Sequence, residues 1–215
     1  MNRAVPVLYG AGYSVYVRAV LMALEAKGVS YSRVPLDVFD PAGPPAELLA
    51  LNPFGKIPAF RHGDLVLFET IAINRYIDEA FDGPALQPED IGQRARMMQL
   101  MSMADSFGYR PLVWDIYVEG TLRLEEGKTP DLKRVEGALP KARLYLATLD
   151  RLSFDGPYLL SDEPSLADFH TAPIFGYFTM SEPGAEMLKG FPKLQRWWQT
   201  ISMSKPWLAA SASDA

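Results

Sequence analysis

Residues 52–80 read Asn52-Pro53-Phe54-Gly55-Lys56-Ile57-Pro58-Ala59-Phe60-Arg61-His62-Gly63-Asp64-Leu65-Val66-Leu67-Phe68-Glu69-Thr70-Ile71-Ala72-Ile73-Asn74-Arg75-Tyr76-Ile77-Asp78-Glu79-Ala80. Two short apolar runs, 57–60 and 65–68, flank His62-Gly63-Asp64, a glycine-containing turn signal, and this predicts a β-hairpin. Ile73, Tyr76, Ile77 and Ala80 then recur at helical spacing behind Thr70, a hydroxyl residue suited to cap the helix. The stretch is therefore a strand–strand–helix unit.

Toward the N-terminus, residues 5–9 are short, β-branched and apolar and stop at Gly10, which predicts a buried strand. Gly12-Tyr13-Ser14 breaks the chain. Val17, Val20, Leu21 and Leu24 then mark a helix over 16–27, closed by Lys27-Gly28 as a terminal cation and glycine. A second strand over 31–36 and a short helix over 46–51 complete the order βαβαββα. Toward the C-terminus, residues 83–90 form a polar, proline-containing linker, and strand signals stop after it. Helices are predicted over 91–120, over 131–152 with a bend at Pro140, from Ser165, and over 192–202. Residues 209–215 are small and polar and read as a frayed end. The expected organisation is a mixed α/β domain over 1–82, the linker, and an all-helical domain over 91–215.

Composition narrows the chemistry. Net charge is −5, and the longest basic clusters are pairs such as Lys133-Arg134, so no phosphate-tracking stripe is present and nucleic-acid binding is not expected. The chain has no cysteine, which rules out disulfides, cysteine-ligated metals and enzyme-thiol chemistry, and with only His62 and His170 no metal is expected. No run approaches the roughly 18 apolar residues of a membrane span, and no signal-like segment opens the chain, so the expected location is the cytoplasm.

Four motifs in order carry a resemblance: Leu8-Tyr9-Gly10 with Ser14 and Arg18; Asn52 to Pro58; Glu69-Thr70 before Ile71-Ala72-Ile73; and Tyr158-Leu159 with Ser165-Leu166-Ala167-Asp168. Together they resemble the soluble glutathione transferases, especially serine-type members of the plant phi class and related bacterial enzymes. One departure is Ser161, where the family commonly has a glycine. The resemblance implies a thioredoxin-like, glutathione-binding N-terminal domain and a helical C-terminal domain that holds a second, hydrophobic substrate.

It also implies roles. Ser14, between the first strand and first helix, would donate its hydroxyl to the glutathione thiolate beside a helix N-terminus. Tyr9 and Tyr13 are the alternative donors, because a phenol serves a sulfur equally well. Arg18 would support the loop that carries Ser14. In this fold the Ile57-Pro58 bond is cis, and Ile57 would pair with the cysteinyl backbone of glutathione. Glu69 and Thr70 would hold the γ-glutamyl ammonium and carboxylate, and Lys56 the glycine carboxylate. Ser165 and Asp168 have capping-box spacing and carry no chemistry.

Phe107, Tyr109 and Trp114, with Tyr13, are candidates for the pocket of a small hydrophobic electrophile, although helix-bundle core is the stronger reading for most of the helical ones. The resemblance also makes Phe54, in the loop before Lys56, a candidate key that inserts into a partner subunit, which implies a two-fold homodimer. The expected function is conjugation of glutathione to electrophiles, a detoxifying transferase reaction. The alternatives are glutathione-dependent peroxide reduction or isomerisation, and a non-catalytic ligand-binding or docking role on the same fold. Gly12-Tyr13-Ser14 lacks the serine-serine-cysteine run of the zeta-class isomerases, which weighs against isomerisation.

Overall fold

The computed structural model describes residues 4–41 and 43–212. In chain order the elements are β1 (Val7–Tyr9), α1 (Val15–Lys27), β2 (Ser32–Val34), α2 (Ala46–Leu51), β3 (Ala59–His62), β4 (Leu65–Phe68), α3 (Thr70–Ala80) and α4 (Ile91–Met103). Two wide-turn π-helical segments follow, π1 (Ala104–Gly108) and π2 (Arg110–Leu122), then α5 (Arg123–Glu125), α6 (Leu132–Leu152), α7 (Leu166–Met180), α8 (Glu182–Leu188), α9 (Pro192–Ser202) and α10 (Lys205–Ser211). These form two compact units. One covers the chain up to Leu86 and resumes at Ser204; the other is Gln87–Met203.

The first unit is the thioredoxin-like arrangement expected from the βαβαββα order. Its sheet has the order β2-β1-β3-β4, with β1 and β2 parallel and the other pairs antiparallel. The parallel pair needs a crossover, which α1 supplies. Val34, Tyr9, Ala59 and Phe68 lie in one cross-strand row. Gly10, Pro58 and Glu69, each adjacent in sequence to a residue of that row, therefore gather at the same end of the sheet. β3 begins at Ala59, two residues later than the hairpin reading placed it, and the Ile57-Pro58 peptide is cis. Glu69, not Thr70, is the N-cap of α3, and its side chain makes no capping bond.

α1 is buried along most of its length, with Val17, Ala19, Val20, Met22, Ala23 and Leu24 fully enclosed. Both α3 and α10 pack on it. The C-terminal segment read as frayed is thus helical through Ser211. Ser204 Oγ caps it by accepting from Trp207 N–H at 3.3 Å, and its small residues permit close approach, with Ala210 buried. Residues 213–215 of that reading lie outside the described residues. Lys27, expected to be a simple helix-end cation, is buried, and its ammonium donates to the Asp78 carboxylate and to the Asp78 and Pro84 carbonyls. Three donors meet three acceptors, which offsets the cost of burying the charge.

The second unit is all-helical. Asp90 caps α4 through Gln93 N–H at 2.8 Å. Past Met103 the helix widens to i→i+5 bonding, and polar partners five residues apart come into register: Arg110 Nε donates to Asp115 Oδ1 at 2.9 Å. Asp115 and Glu119 also accept from Arg134, which ties π2 to α6. α6 runs unbroken through Pro140. Asp168, fully buried, is the hub at the start of α7. Its carboxylate accepts from Leu159 N–H, Trp197 Nε1–H, and the N–H and hydroxyl of Ser165, all at 2.7–2.8 Å. Burial pushes this carboxyl above its usual range, and the four donors oppose that shift. No helix among the described residues is long and apolar enough to cross a membrane.

Candidate active site

Ser14 is the N-cap of α1, in extended conformation at φ −73°, ψ 124°. Its Oγ accepts from Val17 N–H at 3.4 Å, and among the described residues the hydroxyl donates to nothing. A free O–H therefore sits where the first-turn N–H groups and the positive end of a 13-residue helix converge. Arg18 is buried, and its Nε donates to the Gly12 carbonyl at 2.8 Å, fixing the turn that carries Ser14. Gly10 stands at φ 146°; a Cβ there would lie 2.5 Å from Val17 Cγ2 and 3.1 Å from Ile57 Cβ. Only a glycine lets the first turn of α1 and the Ile57 loop close on each other over the end of β1.

Both tyrosine alternatives have engaged hydroxyls. Tyr9 is 1% exposed; its hydroxyl accepts from Arg61, whose guanidinium lies 5.4 Å from the ring centroid. The Tyr13 hydroxyl donates to Asp37 Oδ1 at 2.7 Å and accepts from Val38 N–H at 3.3 Å. The bonds from Tyr13 and from Phe39 N–H hold the exposed Asp37 carboxyl below its usual range.

The loop from Asn52 to Pro58 is organised by Asn52, which is buried. Its Oδ1 accepts from Phe54 N–H at 3.1 Å and its Nδ2 donates to the Lys56 carbonyl at 2.8 Å. These bonds present Ile57, whose backbone N–H and C=O meet no hydrogen-bond partner among the described residues although the side chain is nearly buried. An unpaired backbone donor and acceptor next to a sheet end is a docking edge for an extended peptide. Lys56 is exposed nearby. Phe54 is 71% exposed and touches Phe68 edge-on, with ring centroids 5.9 Å apart.

Glu69 holds φ 70°, ψ 111°, the only non-glycine positive φ among the described residues. This sparsely populated conformation holds an exposed carboxylate that has no partner among the described residues at the start of α3. Thr70 follows, 7% exposed, at the positive end of the 11-residue α3. A carboxylate beside a helix N-terminus with a hydroxyl can hold an ammonium and a carboxylate together.

The remaining candidates lie on the π-helical segments of the second unit. Phe107 is 65% exposed. Tyr109 is half-buried; burial pushes its phenol up, and a hydrogen bond with Trp114 partly offsets this. That pair is again five residues apart, so the wide helical turn is what brings the two rings together. Tyr117, three residues beyond Trp114, is buried against Tyr177, with centroids 4.8 Å apart, and belongs to the core. Ser14, Ile57, Glu69 and Thr70 therefore share one end of one sheet, and Phe107, Tyr109 and Trp114 share one helical stretch. Gly10 was read from sequence only as the end of the first strand and part of a motif, and Asp37 was not singled out: glycine and aspartate are common in loops, and only three-dimensional neighbours reveal their roles here. No group of three or more His, Cys, Asp or Glu among the described residues could hold a metal.

The sequence matches the family description "Glutathione S-transferase, N-terminal domain" over residues 5–79 and "Glutathione S-transferase, C-terminal domain" over residues 100–205. A probable glutathione S-transferase, GSTF2 of Oryza sativa subsp. japonica, is 32% identical over 202 residues, covering 93% of this chain and 92% of its own. Glutathione transferase F7 from Populus trichocarpa superposes with TM-score 0.85 at 29% identity, covering 98% of this chain and 100% of that one. Glutathione S-transferase I from maize, solved in complex with an atrazine–glutathione conjugate, superposes with TM-score 0.82 at 28% identity, covering 98% of each chain.

Proposed function

The chain belongs to the glutathione S-transferase family, and from that premise we propose that it conjugates the thiolate of glutathione to small hydrophobic electrophiles, with Ser14 as the residue that stabilises sulfur. The observation that carries the assignment is the state of three hydroxyls at the end of β1. The Tyr13 proton is given to Asp37, and the Tyr9 hydroxyl is buried against Arg61, whereas the half-buried Ser14 hydroxyl sits at a helix N-terminus and donates to no described residue. An ordinary thiol of pKa ~8.5 is only a few per cent ionised at neutral pH. Lowering it by ~1–2 units requires roughly 1.4–2.7 kcal/mol of selective thiolate stabilisation, within reach of one O–H donor and a helix terminus. Ser14 keeps its proton throughout, so no partner base is needed.

The rest of the tripeptide follows from the same sheet end. The cysteinyl backbone pairs with Ile57, in the unpaired edge beside the cis Ile57-Pro58 bond. Thr70 and the first N–H groups of α3 take the γ-glutamyl carboxylate, Glu69 takes its ammonium, and Lys56 meets the glycine carboxylate as a point charge. Phe107, Tyr109 and Trp114 receive the electrophile. Binding supplies proximity and the activated sulfur supplies the nucleophile.

Replacing Ser14 with alanine lowers kcat on chlorodinitrobenzene by about tenfold or more while the KM for glutathione changes little. Full turnover in that variant moves the role to a tyrosine. The exposed Phe54 ring supports a homodimer. In that case Phe54→Asp halves the sedimenting mass, and an unchanged mass, or a wild type that sediments as a monomer, rejects the key.

A further inference from the structure

Where the core of the second unit meets its surface lies a polar pair that the proposed chemistry leaves unused, with the Asp105 side chain 34% exposed. His170 on α7 is 2% exposed, and its Nε2–H donates to the Asp105 carboxylate of π1 at 2.8 Å. Three residues on, Gly108 lies directly against Tyr145 of α6: a Cβ at Gly108 would come within 2.8 Å of the Tyr145 ring. Asp105 is close enough to Tyr145 for its charge to push the buried phenol further up than burial alone does. The short π1 segment is therefore gripped by α7 through His170 and by α6 through Tyr145, and it carries Phe107 outward on the same turn.

Asp105 stays partly hydrated, so His170 is the only fully desolvated member, and its Nε2–H is satisfied by a carboxylate that reaches in from the surface. Wide-turn helix is intrinsically rare and persists where surrounding contacts impose it. What the grip does fix is the register of the residues that follow. Tyr109 comes one residue after π1, and its hydrogen bond to Trp114 depends on the five-residue spacing.

We propose that Asp105 and His170 are a positioning pair for the second substrate: by locking π1 between α6 and α7 they set where Phe107, Tyr109 and Trp114 present their rings, and thereby which hydrophobic electrophiles bind. This rests on the reading of those three residues as the electrophile's contacts. Neither Asp105 nor His170 touches a substrate; both act through the ring-bearing turn.

The test is steady-state kinetics with chlorodinitrobenzene and glutathione each varied in turn. Asp105→Ala should raise the KM for the electrophile about three- to tenfold, the worth of one hydrogen bond, and leave the KM for glutathione within about twofold. Asp105→Asn, whose amide oxygen still accepts from His170, should restore the electrophile KM. His170→Ala combined with Asp105→Ala should add little to either alone, as members of one interaction do. If alanine at 105 prevents folding, Asp105→Ser, too short to reach His170, carries the same expectation. Phe107→Ala and Trp114→Ala are measured alongside. If they raise the electrophile KM and the Asp105 variants do not, or if the Asp105 variants shift both KM values in parallel, the pair is merely structural and the proposal is overturned. If Phe107→Ala and Trp114→Ala leave the electrophile KM unchanged, the electrophile site lies elsewhere and the proposal falls with that reading, while glutathione activation by Ser14 stands.

Discussion

Glu69 keeps a positive φ that no side-chain hydrogen bond or ion pair among the described residues explains, and the proposed role, a ligand contact held ready, accounts for it. Glu69→Gly should therefore raise stability by ~0.5–1 kcal/mol while raising the KM for glutathione about tenfold or more; urea unfolding and kinetics on the same preparation check both halves. A destabilised variant, or one with unchanged KM, contradicts this role. Asp37 offers a pH test. Its folded pKa lies below the ordinary 3.8, with the Tyr13 hydroxyl as the first cause and Phe39 N–H as the second. A depressed carboxylate contributes stability above its unfolded pKa and loses that contribution as pH falls through the folded value. Tyr13→Phe should move the Asp37 titration upward in a carboxyl-detected NMR series, and an unmoved titration means the bond does not form in solution. The positions of Ser14, Ile57, Glu69 and Thr70 at element ends were legible in the sequence, because glycine, proline and hydroxyl residues punctuate it where strands end, while their proposed roles came from the family resemblance. The engagement of Tyr9 and Tyr13 was not. Their partners Arg61 and Asp37 are 52 and 24 residues away in sequence, and nothing local announces such pairs.

The hairpin of β3 and β4 and the helices α1, α6 and α9 followed from periodicity and breakers, since their apolar stripes match the faces they bury. The π-helical segments did not. Over one or two turns, apolar spacing cannot separate four-residue from five-residue bonding, and the decisive pairs, Arg110 with Asp115 and Tyr109 with Trp114, look like ordinary neighbours on paper. α10 was missed for another reason: small residues signal fraying unless a partner such as α1 is there to be packed against closely. At the start of α7, the capping spacing of Ser165 and Asp168 was readable, but the reach of Asp168 to Leu159 and Trp197 was not. Asp168→Ala leaves four buried donors without an acceptor, each costing ~1–3 kcal/mol, so the second unit should be destabilised by several kcal/mol or fail to fold. A denaturation midpoint close to wild type would show that water replaces the carboxylate and that the hub is dispensable.

For the whole molecule, the order of elements carried the fold. A βαβαββα run followed by helices has few compact solutions, and the register of β1, β3 and β4 brings residues 14, 57 and 69 to one sheet end although more than fifty positions separate the first from the last. The identity of the electrophile is not written in that order, because ring-bearing residues on a helix serve core and pocket alike. The proposed chemistry requires Ser14 and the N-terminus of α1 to make the thiol of bound glutathione an anion. The most direct measurement is the ultraviolet difference spectrum of the protein with glutathione, titrated between roughly pH 5 and 9. Thiolate absorbance should rise at least about one unit below the ~8.5 of an ordinary thiol, persist in Tyr9→Phe and Tyr13→Phe, and return to the free-thiol range in Ser14→Ala. Glutathione that binds with an unshifted thiol, or a shifted thiolate that survives in Ser14→Ala, would contradict it.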